Sequence, residues 1–536
     1  MIVLTSGAYL NFEFESLLGK LPPAFLPVGN KRLWEWQVKD LKDLHEDIAL
    51  TIPMGFDLPA IDEELLAEHG LTVLRVPENL NLGQSVVYAI TALKINKEPV
   101  RILHGDTLCL PISSSDTDFV LTGRSSTHYA WAELESDEEH TFHLADERSD
   151  DPDGAREVLA GYFSFADAAE LARCIALENF DFVKGLNLYS QANPLITARA
   201  DTWLDFGHVI TYFQSKAQHT TERAFNQLSI TERWIEKSSS DSDKITAEAV
   251  WFEALPMEIR PYTPQYFGRV LSQEPSERPR YRLEYLYNNT LSEIAVFGRL
   301  PVLSWQVILR RCAVFLNEAR AFSQTALSDG APLISSDDYT RKTLGRLNEF
   351  AAASGFDIDA PMVVNDQAVP SLLKMVEELA PCIEDAKPSD LGLLHGDFCF
   401  SNILYDFRSD QIRVIDPRGR DFQGEIGIWG DTRYDLAKLA HSVVGLYDFI
   451  IAGRYRLDRH DTMCFDLRYP EHDRTWDGVQ NTFNQLVIGG RRSDDPGIQA
   501  MTIQLFLSML PLHYDRPDRQ QAFIANAARM FIEFEG

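Results

Sequence analysis

Strand-like and helix-like runs alternate through the N-terminal part of this chain, and that alternation limits its fold more than any other feature. "MIVLTSG" opens as a short apolar run ending in small residues, the mark of a buried strand entering a loop. "LWEWQVKDLKDL" (33–44) and "GQSVVYAITALKI" (83–95) carry helical spacing, whereas "DIALTIPM" (47–54), "LTVLRVP" (71–77) and "VRILHGDTL" (100–108) read as strands. Such alternation predicts a mainly parallel α/β sheet, whose ligands sit at the carboxyl ends of its strands. The texture changes near residue 215. "LSITERWIEKSS" is strand-like and "KITAEAVWFEAL" (244–255) helical; residues 256–300 are mixed. From about 304 onward the chain reads as mostly helical, broken by one strand–loop–strand region at 391–418. At 536 residues the chain exceeds what one hydrophobic core serves. The expected division is 1–217 and 218–536.

The 80 acidic residues outweigh 50 basic ones, for a formal charge of −30. That excludes nucleic acid as the expected partner and points, at the level of the whole chain, to a neutral or cationic small molecule. No apolar run has the length of a membrane span, and the start lacks the basic flank and apolar core of a secretion signal. The six cysteines are scattered without a Cys-x-x-Cys pair, as expected of buried thiols in a cytoplasmic protein rather than a zinc site or disulfide framework. Oligomerisation is left open.

Leu-His-Gly-Asp occurs twice, at 103–106 and 394–397, with no internal repeat to explain it. In the second copy, "HGDFCFSNILYD…IRVIDPRG", Asp397 precedes Asn402 by five positions and the strand-like "IRVI" delivers Asp416. Phosphoryl transfer needs such a set: a carboxylate to accept the hydroxyl proton, an amide oxygen on a metal, and a second carboxylate bridging the metals. This stretch resembles the catalytic loop of the aminoglycoside phosphotransferase and choline kinase group. The resemblance implies a protein-kinase-like α+β domain with an N-lobe at about 218–300 and a largely helical C-lobe at about 301–536. It implies Asp397 as base, Asn402 and Asp416 as magnesium ligands, Asp435 of "GDTRYDLAKLAHS" as an anchor of the loop, and ATP with Mg²⁺ as cofactors.

The same resemblance calls for a strand lysine and a helix glutamate upstream. "RWIEKSS" and "KITAEAVWFEAL" offer Lys237 and Glu248, with Lys244 as the rival lysine. Arg223 and Asn226 fall where a phosphate-covering turn would lie, without a glycine-rich motif. In "YRLEYLYNNTLSEI" the backbone near Glu284–Leu286 would bind adenine. Trp429, Tyr434 and the segment 454–470 are expected around the acceptor pocket; aromatic faces there could stack on a sugar or a quaternary amine.

The N-terminal region resembles sugar-phosphate nucleotidyltransferases and their cytidylyltransferase relatives. "LPPAFLPVGNKRLWEWQ", "NLGQSVVYAI", "LHGDTL" and "WLDFGHVITYFQSK" carry the likeness, implying Asp106 and Asp205 as metal ligands. The opening loop, "LTSGAYLNFEF", keeps only Gly7 of a glycine-rich loop and has no arginine. Pro23 stands where a lysine is expected, with Lys20 out of register. The expectation is a nucleotidyltransferase fold that has lost its transfer chemistry, attached to a kinase of small-molecule hydroxyls (sugar, amino alcohol or polyol). One alternative is a bifunctional enzyme that activates the kinase product with a nucleotide for surface polysaccharide; another is a non-catalytic binding protein.

Overall fold

The computed structural model describes residues 1–110, 117–125, 129, 132–134, 142–144, 156–219, 222–223, 226–231, 233–270, 278–469 and 474–535. The chain forms two compact units that divide between residues 220 and 221.

The first unit is an α/β domain. Strands Thr72–Val76, Ile48–Pro53, Ile2–Thr5 and Val100–His104 lie side by side in that order, all parallel. The apolar runs of Ile48–Pro53 and Ile2–Thr5 suit strands covered on both faces, and Ile2, Val3 and Leu4 are fully buried. Arg156–Phe165 then pairs antiparallel with Val100–His104 and with Phe119–Ser125. The helix Leu82–Ala92 starts at Asn81, which accepts the Gln84 N–H while Gln84 returns a bond to the Asn81 N–H, a reciprocal cap that satisfies two otherwise open donors. Beyond the sheet, Thr202–Asp205 pairs antiparallel with Thr107–Leu110 and sets Asp205 opposite Thr107.

The second unit is α+β. Its first part is an antiparallel sheet in the order Glu222–Arg223, Asn226–Ile230, Trp234–Ser239, Arg280–Glu284, Tyr266–Val270. The run expected as strand-like, 228–239, is thus two strands, with Thr231 Oγ1 accepting the N–H groups of Arg233 and Trp234. Helix Ser242–Ala254 packs on this sheet, capped by Asp241.

Helices Val302–Arg320, Ser336–Ser354, Arg433–Val443, Pro496–Met509 and Pro517–Glu535 build the larger part. The last four close around a core that includes Met375, Leu507, Phe506 and Phe523. Two hairpin-like pairings cross it, Ile403–Asp406 with Gln411–Val414 and Leu391–Leu393 with Trp429–Asp431. The helical expectation for this region needs one correction. Gln367–Val369, Met362–Val364, Cys464–Arg468 and Arg456–Asp461 form a further sheet. Arg456–Asp461 ("RLDRHD") is largely exposed, and a charged, solvent-facing strand lacks the apolar alternation by which strands are read. Among the described residues no helix is long and apolar enough to cross a membrane.

Candidate active site

The loop bearing Asp397 is pinned from below by its own apolar residues. Phe398 stacks on Phe315 and Phe400 on Trp305, and the Phe400 N–H donates to Ser442 Oγ. These anchors turn the intervening polar side chains toward a cavity of about 560 Å³ whose wall includes Asp397, Asn402 and Asp416. Asn402 Nδ2 donates to both the backbone oxygen and Oδ2 of Asp397, at 2.9 and 2.8 Å, which leaves its amide oxygen as an acceptor. The Ile415 N–H donates to Asn402 O, tying Asp416 to the same loop. Asp416 itself is held at φ 57°, a left-handed conformation unfavourable for a residue with a Cβ.

His395 holds the loop from within. The Asp397 N–H donates to His395 Nδ1, and Nε2 faces the Ile415 oxygen at 3.0 Å. With Nδ1 accepting, the proton belongs on Nε2. Burial lowers this imidazole to about 4, so it is neutral and keeps that tautomer. Asp435, at the start of the fully buried helix Arg433–Val443, accepts the backbone N–H groups of His395 and Gly396 at 2.7 and 2.8 Å.

Three turns of charge meet at Lys237. Its ammonium lies 2.8 Å from Glu248 and 2.9 Å from Asp416, and Tyr281 Oη donates to the same Glu248 oxygen at 2.6 Å. The rival Lys244 is half exposed and reaches Glu248 only at 3.9 Å. Glycine lets the two chain segments meet: at Gly419, with φ 63°, a Cβ would sit 2.2 Å from the carbonyl oxygen of Ala247, the residue before Glu248.

Lys438 was missed in the sequence. Its ammonium bonds Asp397 Oδ1 at 2.9 Å. Burial pushes the Asp397 carboxyl up, but the charge and hydrogen bond of Lys438, with the Asn402 amide, hold it below the usual carboxylate range. The signal was present as Asp435-x-x-Lys438, two charges spaced to share one face of a helix.

Other expected residues lie apart from this cavity. Glu284 and Leu286 are not on its wall, and the Glu284 N–H is engaged by Gln265 O inside the sheet. Trp429 sits away from it with its indole N–H on Asp329, whereas Tyr434 is part of the wall. Residues 454–469 contribute nothing to the wall, and Pro470 lies outside the described residues. Arg223 and Asn226 face each other across a strand pair; their side chains lie outside the described residues.

In the first unit, Asp106 and Asp205 come together. A Cβ on Gly207 would lie 2.5 Å from Asp106 Oδ2 and 3.3 Å from Asp205 Oδ1, so a larger residue there would press on the Asp106 carboxylate. Burial and then the Asp205 charge push the Asp106 carboxyl upward. Thr211 Oγ1 donates to Asp205, and Ser215 Oγ donates to its backbone oxygen. Among the described residues no group of three or more His, Cys, Asp and Glu side chains forms a ready cation cage.

No family model matches this chain, and no curated protein sequence does. Among solved structures, the nucleoside-diphosphate-sugar pyrophosphorylase from Vibrio cholerae RC9 aligns with 41% of this chain and 100% of its own, at 12% identity and TM-score 0.32. UDP-glucose pyrophosphorylase complexed with UDP-glucose aligns with 41% and 98%, at 14% identity and TM-score 0.29. The GDP complex of wild-type aminoglycoside 2'-phosphotransferase-IIIa aligns with 58% and 91%, at 16% identity and TM-score 0.35. At these identities and scores no residue role is carried over from them.

Proposed function

We propose that the second unit is an ATP- and magnesium-dependent phosphotransferase that acts on a hydroxyl of a small molecule. One observation supports this above the rest: a single cavity gathers Asp397, Asn402 and Asp416, with the Lys237–Glu248 pair fastened to Asp416. Asp397 accepts the acceptor's hydroxyl proton, and Lys438 and Asn402 fix the direction in which its carboxylate points. Lys237 is held by Glu248 to meet nucleotide phosphate. The donors that would hold magnesium are the Asn402 amide oxygen and the Asp416 carboxylate, hard oxygen ligands suited to an ion that completes its shell with phosphate oxygens and water. Cys399 lies nearby, but burial first, then the Asp397 charge, keep its thiol protonated, so it does not compete as a ligand. When bound, the ion would neutralise charge on the transferring phosphoryl group.

The test is a pool of sugars, amino alcohols and polyols incubated with ATP and magnesium, with products read by mass spectrometry. A phosphorylated product that requires magnesium is expected. ATP left intact across the pool, by a chain that binds no ATP, would favour the binding-protein reading.

For the first unit we propose a nucleotidyltransferase-like domain without its original transfer. The Asp106–Asp205 pair favours one second reading, in which this domain activates the kinase product with a nucleotide. Pyrophosphate release that depends on both carboxylates would support that reading.

A further inference from the structure

The wall of the cavity next to Asp397 is basic, although the chain as a whole is strongly acidic. Lys342 and Arg346 share one face of the helix Ser336–Ser354, spaced i and i+4. Arg418 and Arg420 follow Asp416 on its loop, and Lys438 comes from the buried helix. Glycine again sets the approach: at Gly396, with φ 79°, a Cβ would lie 2.6 Å from the Arg418 Cβ. The stem of Arg418 therefore lies directly over the residue before Asp397.

These cations are not all answered by carboxylates. Lys438 is paired with Asp397 and Arg346 with Glu349. Lys342 instead lies 4.7 Å over the Phe422 ring and 5.3 Å over Tyr434. Among the described residues no carboxylate forms an ion pair with Lys342 or Arg418. Burial, then the like charges of Arg418 and Lys438, lower the Lys342 ammonium below an ordinary lysine, with Tyr434 opposing them. Tyr434 shows the same field: burial raises its phenol, and Lys342, Lys438 and Arg418 more than reverse that. Three like charges brought together beside a partly enclosed cavity repel one another, and a bound anion relieves that repulsion.

This cluster is distinct from the groups assigned to the nucleotide. Lys237 meets Asp416 from the sheet and its helix, whereas Lys342, Arg418 and Lys438 come from the helical part and the loop beyond Asp416. Arg418 offers a planar fork of donors and Lys342 a point charge, a combination suited to phosphate oxygens.

We propose that the acceptor is itself a phosphomonoester, a hydroxyl compound whose phosphate docks between Lys342 and Arg418 and so presents its hydroxyl to Asp397. This rests on the phosphotransferase reading above. It gives the reaction a place: a phosphorylated sugar or polyol must be supplied, and a bisphosphorylated one leaves.

The test uses the full chain saturated with magnesium and a non-hydrolysable ATP analogue, so that the nucleotide's own γ-phosphate position is filled. Inorganic phosphate and glycerol 3-phosphate are titrated by calorimetry into wild type and the double variant Lys342→Met/Arg418→Ala, whose folding is checked by circular dichroism. Expected is saturable binding of both probes to wild type, weakened at least tenfold in the variant, with a smaller loss of nucleotide affinity. A Lys342→Arg variant should retain most of the binding. No phosphate binding by wild type, or equal binding by the folded variant, overturns the proposal. So does tighter binding of glycerol than of glycerol 3-phosphate. If Asp397-dependent transfer is found only to uncharged or cationic acceptors, the phosphotransferase reading stands and this inference falls. If the chain binds no nucleotide, the phosphotransferase reading itself fails, and the phosphate titration still reads the anion site.

Discussion

Replacing Lys438 with methionine removes one charge and keeps most of the buried stem. The ammonium lies 2.9 Å from Asp397 Oδ1, and the Asp397 side chain is 41% exposed. Two unit charges at this range attract by about 6 kcal/mol at an effective dielectric near 20, and solvent screening of a partly exposed carboxylate leaves on the order of 2 kcal/mol. That figure fixes two observables. It raises the Asp397 pKa; and, if the contact persists through transfer, it slows kcat by up to about 30-fold. The sign follows from the direction of the wild-type shift. Asp397 lies below the usual carboxylate range, so its ionised form persists to lower pH than an ordinary carboxylate's, and activity is lost only as pH falls through that lowered value. In Lys438→Met the acid limb moves upward in pH, because the cation that lowers the carboxyl is gone. The assay is release of labelled phosphate from ATP, to water and to any acceptor found, between pH 4 and 8. Lys438→Arg should restore part of the rate. An unchanged acid limb together with unchanged kcat would refute the role given to Lys438.

Lys237→Met leaves Glu248 buried with only Tyr281 and the distant Lys244 as partners, and should cost about 3 kcal/mol, read as a lower Tm for the second unit. Adding Glu248→Leu should recover much of that stability without recovering ATP turnover, because an apolar pair replaces the buried ions. Gly419→Ala combines a left-handed φ with a 2.2 Å approach to Ala247 O, so it should move the helix bearing Glu248 and cost about 2–4 kcal/mol, seen as a reduced Tm and weakened ATP binding. In the first unit, Gly207→Ala should force Asp106 and Asp205 apart; a crystal structure of that variant showing both carboxylates unmoved would contradict the packing described.

The catalytic-loop constellation was legible because spacing fixes it: Asp397, Asn402 and Asp416 lie within one loop and hairpin, where sequence distance and spatial distance nearly coincide. The alternating strands of the first unit were legible for a related reason, since strands covered on both faces show as continuous apolar runs. What escaped depends on long-range packing. Lys438 gains its meaning from a helix that is buried along its whole length, and Lys342 from a helix nearly a hundred residues before Lys438. The strand Arg456–Asp461 escaped because its residues largely face solvent. The two Leu-His-Gly-Asp copies separate on the same grounds. In the second, Gly396 has φ 79° and His395 braces the loop. In the first, Gly105 is pressed against the Thr5 oxygen, and Asp106 pairs with Asp205 across Gly207.

The central claim is that Asp397 serves phosphoryl transfer from ATP to a small-molecule hydroxyl. Transfer from γ-labelled ATP, measured side by side for wild type and Asp397→Asn at matched folding, tests it most directly. The expected result is magnesium-dependent transfer by wild type and at least a hundredfold loss in the variant, about 2.7 kcal/mol or more of transition-state stabilisation. Wild-type-like transfer by Asp397→Asn would contradict it.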